Sequence, residues 1–310
     1  MLYEIIRMII GFILLIKGAD FVVKGASNIA KKFHLSEMLI GIIVVGIGTS
    51  LPEIIVTVKS SLTGNTDIII GNSIGSCICN LLLVIGIASI CNPLKIDNKV
   101  LQVHLPASVF SILMLATFCN FGAGNQIVSK AEGLVLLLFA IAYIVYTVYE
   151  DKEETQENSE SKISFGRIVI YLLFGVIGLK FGADFVVDGA VAIAEFFGVP
   201  ESIISMTVVS IGTSLPEIVT CIIATLEKES DLAIGNVIGS NIFNICLLPA
   251  IGAIIAPIHY DVIFNQSLIF LLLITIYLLV FDLFKNKRMI SKHHGIVFVL
   301  LFCLYVSCLF

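Results

Sequence analysis

Charge is what this chain has little of. Only 13% of its 310 residues are Asp, Glu, Lys or Arg, where a soluble domain carries about a quarter. The scarce basic residues are scattered through loops instead of gathering on one face, so no nucleic-acid surface is expected. No CxxC pair occurs among the eight cysteines. That excludes the common zinc and secreted-disulfide patterns, and the thiols read as small buried hydrophobes. The opening stretch MLYEIIRMIIGFILLIKGADFVV lacks a clean basic n-region and a small-residue cleavage site. It reads as a first helix more than as a removed signal peptide.

Apolar surface is what the chain has instead. Hydrophobic residues make up 58% and mean hydropathy is +1.07. Apolar runs of about 18 residues or more recur, each long enough to cross a bilayer. Ten spans are expected, at 4–23, 37–61, 67–90, 100–120, 130–149, 166–187, 201–226, 231–255, 263–284 and 294–310. The fold class is therefore all-α integral membrane. One polar stretch, EDKEETQENSESK at 150–162, is charged and too short to fold alone.

The two sides of that stretch are copies. GFILLIKGADFVVKGASNIA (11–30) and GVIGLKFGADFVVDGAVAIA (175–194) share 13 of 20 positions, at an offset of 164 residues. Thr49 and Thr213, Glu53 and Glu217, Ser76 and Ser240, Asn80 and Asn244 all keep that offset of 164. Five spans per copy is an odd number, so the second copy enters the membrane upside down. The expectation is a five-helix repeat over 1–149, a cytoplasmic linker over 150–165 and an inverted repeat over 166–310, the duplicated form common in secondary transporters. With the amino terminus outside, 13 basic residues fall on the inner side and three on the outer, a clear positive-inside bias. Both termini are then extracellular and the protein sits in the plasma membrane.

The copies carry their chemistry at VVGIGTSLPEIIVT (44–57) and VVSIGTSLPEIVT (208–220). Gly46, Thr49, Ser50 and Glu53 recur at helical spacing and share one face. Pro52 has no N–H for the carbonyl of Gly48 and its ring crowds that carbonyl. Helices two and seven should therefore break just before their prolines, turning loosened carbonyls around Gly46 to Thr49 toward a cavity. The same holds for Ser210, Thr213, Ser214, Pro216 and Glu217. In the following spans, GNSIGSCICN (71–80) and GNVIGSNIFN (235–244), Ser76 and Asn80, and Ser240 and Asn244, stand four apart on one face. The assembled donors are all hard oxygens, which suit Na⁺ and Ca²⁺ rather than zinc or copper. One Ca²⁺ or two Na⁺ would neutralise the two glutamates, and that competition is the logic of an antiporter.

With these motifs the chain resembles the sodium/calcium exchanger family, within the cation/calcium antiporters: GTSLPE followed by GNxIGS…N, in both halves, is similar to that family's two alpha-repeats. The resemblance implies ten helices, a central group of ion sites, and exchange of cytosolic Ca²⁺ for entering Na⁺. It implies Thr49, Ser50, Glu53, Ser76 and Asn80, with Thr213, Ser214, Glu217, Ser240 and Asn244, as coordinating side chains, and Gly46 and Ser210 as carbonyl donors. It also implies that the GAD-containing first and sixth spans slide together. Asn244 stands where some members, including relatives that carry K⁺, have Asp, which argues against K⁺ transport here. The 150–162 stretch is too short for the large regulatory domain of animal relatives. No cofactor, nucleic acid or obligatory oligomer is expected.

Rival readings are weaker. Asp20 and Asp184 lie in matching GAD motifs but lack the glycine an intramembrane aspartyl protease places before its aspartate; helix-end hydrogen bonding is expected, with Lys17 and Lys180 snorkelling or pairing. Ser50 and Ser214 have no histidine, lysine or GxSxG elbow around them, against serine hydrolysis. His104 is a minor candidate for a proton site. A cation channel and an H⁺/Ca²⁺ antiporter remain as alternatives of a different class and of the same class.

Overall fold

A long apolar backbone with no water to bond must satisfy its own amides, and helices do so within one segment. The computed structural model describes residues 2–122, 126–151, 163–198, 210–280 and 289–308, and is predominantly helical. The helices are α1 Leu2–Phe33, α2 Glu37–Thr49, α3 Leu51–Thr63, α4 Asp67–Cys91, α5 Val100–Phe121 and α6 Lys130–Asp151, then α7 Phe165–Phe196, α8 Ser210–Thr213, α9 Leu215–Leu226, α10 Ser230–Ile255, α11 Phe264–Val280 and α12 Lys292–Cys308. Most of the 150–162 linker, and the start of the span expected at 201–226, lie outside the described residues.

α1 and α7 run well past the expected 4–23 and 166–187. Each has 32 residues, about 48 Å of helix against a hydrocarbon core of about 30 Å. Lys24, Lys31 and Lys32 close the apolar run of α1 but are good helix formers, so the helix continues past that run to Phe33.

α4 and α10 are the central helices. In their most apolar windows 72% and 78% of residues are buried, against 28–39% for α5, α6 and α7. Between α1 and α7, each contact recurs with its two positions replaced by their counterparts at the 164-residue offset. An added Cβ at Gly11 would come 2.9 Å from the Gly182 carbonyl, and one at Gly175, the counterpart of Gly11, 2.9 Å from that of Gly18. Gly18 faces the Gly175 carbonyl and Gly182 that of Gly11, both at 2.8 Å. Small residues thus let α1 and α7 touch backbone to backbone, the usual route to tight packing in lipid. The aromatic contacts repeat the pattern: Phe21 stacks on Tyr171, while Arg7 lies over Phe185 and bonds Asp188.

Two short strand pairs, not foreseen from the sequence, also join the halves. Leu94–Lys95 pairs with Met289–Ile290, and Ile127–Val128 with Ile258–His259. Two residues per strand carry too little pattern to be read from sequence.

Replacing Gly18 with Val should overpack the α1–α7 seam, destabilising the protein by about 1–3 kcal/mol. Thermal unfolding in detergent, with Gly166→Val as control because an added Cβ there meets nothing within 4 Å, checks this.

Candidate ion-binding site

The duplicated motif breaks both helices that carry it. α2 ends at Thr49, Ser50 takes φ −79° and ψ 5°, and α3 starts with Pro52 in its first turn. The pieces meet at 45°. In the second half Ser214, at φ −88° and ψ 3°, separates α8 from α9, with Pro216 in the first turn. Proline is tolerated there because a first-turn amide has no helical partner anyway. Each break falls just before its proline, as expected, but the loosened carbonyls expected from Gly46 onward are not all found. The Gly46 carbonyl keeps its bond from Ser50 N at 3.2 Å, because Pro52 deprives only Gly48 of a donor. That same carbonyl also accepts from Ser240 Oγ at 3.3 Å and Thr49 Oγ1 at 3.4 Å. It is therefore not loosened, but it lies against the opposite half.

Each break presents its glutamate to the interior. Glu53 is 0% and Glu217 1% exposed, and the two are close enough to repel electrostatically. Glu217 Oε1 accepts from Ser50 Oγ at 3.5 Å, whereas neither oxygen of Glu53 has a protein donor. Among the described residues no Lys, Arg or His forms an ion pair with either. Thr49 Oγ1 reaches across to Asn236 Oδ1 at 3.1 Å and Ser240 Oγ at 3.4 Å. Ser76, Asn80, Ser240 and Asn244 are all buried. Ser76 Oγ, Asn80 Oδ1 and both amide atoms of Asn244 have no protein partner. Ser214 Oγ lies beside the Cys79 thiol. Thr213 is only part-buried, unlike its counterpart Thr49. Ser210 opens α8, and its side chain lies outside the described residues.

Buried polar atoms are nearly always bonded, and leaving one unmet costs about 1–3 kcal/mol. Here the unmet atoms concentrate on α3, α4, α9 and α10, around the two glutamates. They are oxygens and amides of the kind that hold a hard cation. No group of three or more His, Cys, Asp or Glu is placed to hold a metal ion among the described residues.

The sequence profile of the sodium/calcium exchanger protein family matches residues 3–149 and 167–310. The chain belongs to that family. It is 31% identical to the sodium/calcium exchanger MaX1 of Methanosarcina acetivorans over 98% of this chain and 97% of that one. It is 32% identical to the inner membrane protein YrbG of Escherichia coli over 84% of this chain and 82% of that one. Among solved structures, the sodium-calcium exchanger NCX_Mj, soaked with zero Na⁺ and Ca²⁺, superimposes with a TM-score of 0.85 at 32% identity, covering 99% of both chains. This exchanger-family chain is a minimal, prokaryotic-type, multi-pass membrane protein.

Two residues at this site were passed over in the sequence. Asn236 was visible, since GN precedes the serine in both halves, but only its neighbours were assigned. Asn241 was hidden because its counterpart is Cys77, so the repeat does not mark it. The two meet near the centre: Cys77 Sγ donates to the Asn241 carbonyl at 3.4 Å, and Asn241 Nδ2 to that of Cys77 at 3.5 Å. Asn241 Oδ1 also holds Asn80 Nδ2 at 3.1 Å. The rivals fare differently. Asp20 pairs with Lys24 at 2.6 Å and Asp184 with Lys180 at 2.7 Å, so each is taken up by its own helix. Lys17 is exposed. His104 is buried, with Nδ1 2.9 Å from the Tyr143 hydroxyl. GNSIG at 71–75 matches GxSxG by letter, but it lies inside α4 and not on a strand-to-helix turn.

Asn241→Ala should strand the Asn80 amide and lower stability by about 1–3 kcal/mol. Asn241→Ser, which keeps an acceptor, should lose less; unfolding of the two variants in detergent compares them.

Proposed function

We propose that this protein is a secondary antiporter that exchanges Na⁺ for Ca²⁺ by alternating access, with the ions bound between Glu53 and Glu217. The observation that carries the reading is the pair of fully buried glutamates, one from each half, with no basic partner and a surround of unmet oxygens. An ionised carboxylate at bilayer depth costs on the order of 3 kcal/mol, and two that repel cost more. A divalent cation between them removes both charges at once. So do two monovalent ions, one for each carboxylate. Tight occupancy by either set excludes the other, which couples the two fluxes.

The ligands in this reading are Glu53, Glu217, Thr49, Ser50, Ser76, Asn80, Thr213, Ser214, Ser240 and Asn244, with the carbonyls of Gly46 and Ser210. Asn236 and Asn241 position Thr49 and Asn80. Ten membrane-crossing helices arranged as inverted repeats over 1–149 and 166–310 are supported by the constant offset and by the reciprocal α1–α7 contacts. Extracellular termini, a cytoplasmic 150–165 linker and a plasma-membrane location rest on the basic-residue bias. The chain acts as a transporter and not as an enzyme, and needs neither a cofactor nor a second copy. Na⁺ is preferred to H⁺ because hydroxyls and amides, which do not titrate, outnumber the carboxylates.

Vesicles preloaded with Na⁺ should take up Ca²⁺, and vesicles with only a pH gradient should not. Uptake under the pH gradient alone would establish H⁺/Ca²⁺ exchange instead, and Ca²⁺ current with no counter-ion would establish a channel. Glu53→Gln and Glu217→Gln each keep shape and remove charge, so each should abolish exchange while leaving the protein folded; robust exchange by both removes the site assignment. Protons compete for the same carboxylates, so uptake should fall as pH drops toward about 5. A flat profile over that range argues against ionised glutamate ligands.

A further inference from the structure

Buried hydroxyls in membrane helices ordinarily bond the carbonyl one turn back. Ser61, Thr147, Thr225 and Thr275 all do so, at 2.7–2.8 Å. Thr57 and Ser73 do not. Both are 0% exposed, and neither hydroxyl has a partner. Neither hydroxyl is repeated in the other half: their counterparts at the 164-residue offset are Cys221 and Val237.

The two hydroxyls stand at one level. α3 and α4 form a helical hairpin closed by Gly64, whose φ of +78° reverses the chain. Glu53 lies ten residues before Thr63 and Cys77 ten after Asp67, while Thr57 and Ser73 each lie six from those ends. Equal counts from the two helix ends place Glu53 level with Cys77. One turn nearer the hairpin loop, Thr57 is therefore level with Ser73. The buried face of α3 is wholly polar, consisting of Glu53, Thr57, Ser60 and Ser61. The matching step of the second half is closed instead: the Cys221 thiol bonds the Ala233 carbonyl at 3.8 Å, and Val237 offers no polar atom. Thr220 is a further unmet hydroxyl on α9, but the α10 residue level with it by the same offset is apolar Ile238.

We propose that the hydroxyls of Thr57 and Ser73 form an additional cation position, one turn outward of Glu53, which takes a partly hydrated monovalent ion on its way to the central site. Two neutral hydroxyls suit Na⁺, which keeps part of its water, better than Ca²⁺, which requires charged ligands for comparable binding. The second half has no matching pair, so the position serves one face only. Its assignment to Na⁺ and to the outer face rests on the exchange reading and orientation proposed above.

The test uses the full chain in sided proteoliposomes, comparing Thr57→Val with Ser73→Ala against wild type. Loss of one such contact should raise the half-saturating Na⁺ concentration at the outer face about threefold to tenfold, with the inner value and the Ca²⁺ value unchanged. Thr225→Val, whose hydroxyl already bonds the Cys221 carbonyl, serves as the control and should shift neither face. Equal shifts at both faces, or none, overturn the proposal. A shift confined to the inner face supports the site and inverts the orientation. ²²Na⁺ binding to the detergent-solubilised protein reads the site without transport: the double variant should bind about one ion fewer per chain than wild type, and equal binding overturns the proposal even if the wild type exchanges H⁺ in place of Na⁺.

Discussion

Two carboxylates without a basic partner in a dry interior govern the architecture around them. Such a pair costs free energy wherever it is placed in hydrocarbon. It is kept here on broken helices, next to hydroxyls and amides whose own hydrogen-bonding capacity is left unfilled. A structural glutamate would be satisfied by its neighbours. Glu53 is not, and the polar atoms nearest it share that condition. The shortage of donors is thus a collective property of the cluster, and the cation proposed above would answer it at the oxygens.

The surrounding fold keeps that shortage from being relieved by rearrangement. α4 and α10 are buried on most sides, so Ser76, Asn80, Ser240 and Asn244 cannot turn to water. Gly235 and Gly239 bring α10 against the backbone of α2, where an added Cβ at Gly235 would come within 2.6 Å of the Met38 carbonyl. This close approach lets Ser240 reach the Gly46 carbonyl and Thr49 reach Asn236. Between the two breaks themselves, Ser50 Oγ donates to Glu217 Oε1 at 3.5 Å. The glycine seam between α1 and α7 has its own close backbone contacts, and α1 also packs along α9, the helix that carries Glu217.

The sequence disclosed the chemistry more readily than the packing. Proline and glutamate inside an apolar run are costly, so GTSLPE could only be read as a broken helix with a buried charge, and its repetition at 164 residues made chance untenable. Both breaks lie just before the prolines, at Ser50 and Ser214, as expected, but the Gly46 carbonyl keeps its Ser50 donor because Pro52 removes a donor from Gly48 alone. Helix length was misread for α1 and α7, since hydropathy reports where lipid ends and not where hydrogen bonding ends. Asn241 was invisible for another reason. It interacts with its own counterpart, Cys77, across the central axis, and a contact between unlike residues at equivalent positions leaves no trace in a comparison of the copies.

Departures from the repeat carry information that the repeat itself cannot. Two identical inverted halves would make the inner and outer faces equivalent, and an exchanger built that way would have no preferred side. The chain keeps Glu53 with Glu217 and Ser76 with Ser240 at the proposed ion site. It differs at Thr57 against Cys221, at Ser73 against Val237, and in the burial of Thr49 against Thr213. None of these differences falls on the glutamates themselves. Symmetry therefore fixes what binds, and its local failures are where a direction of access can be written into the same fold.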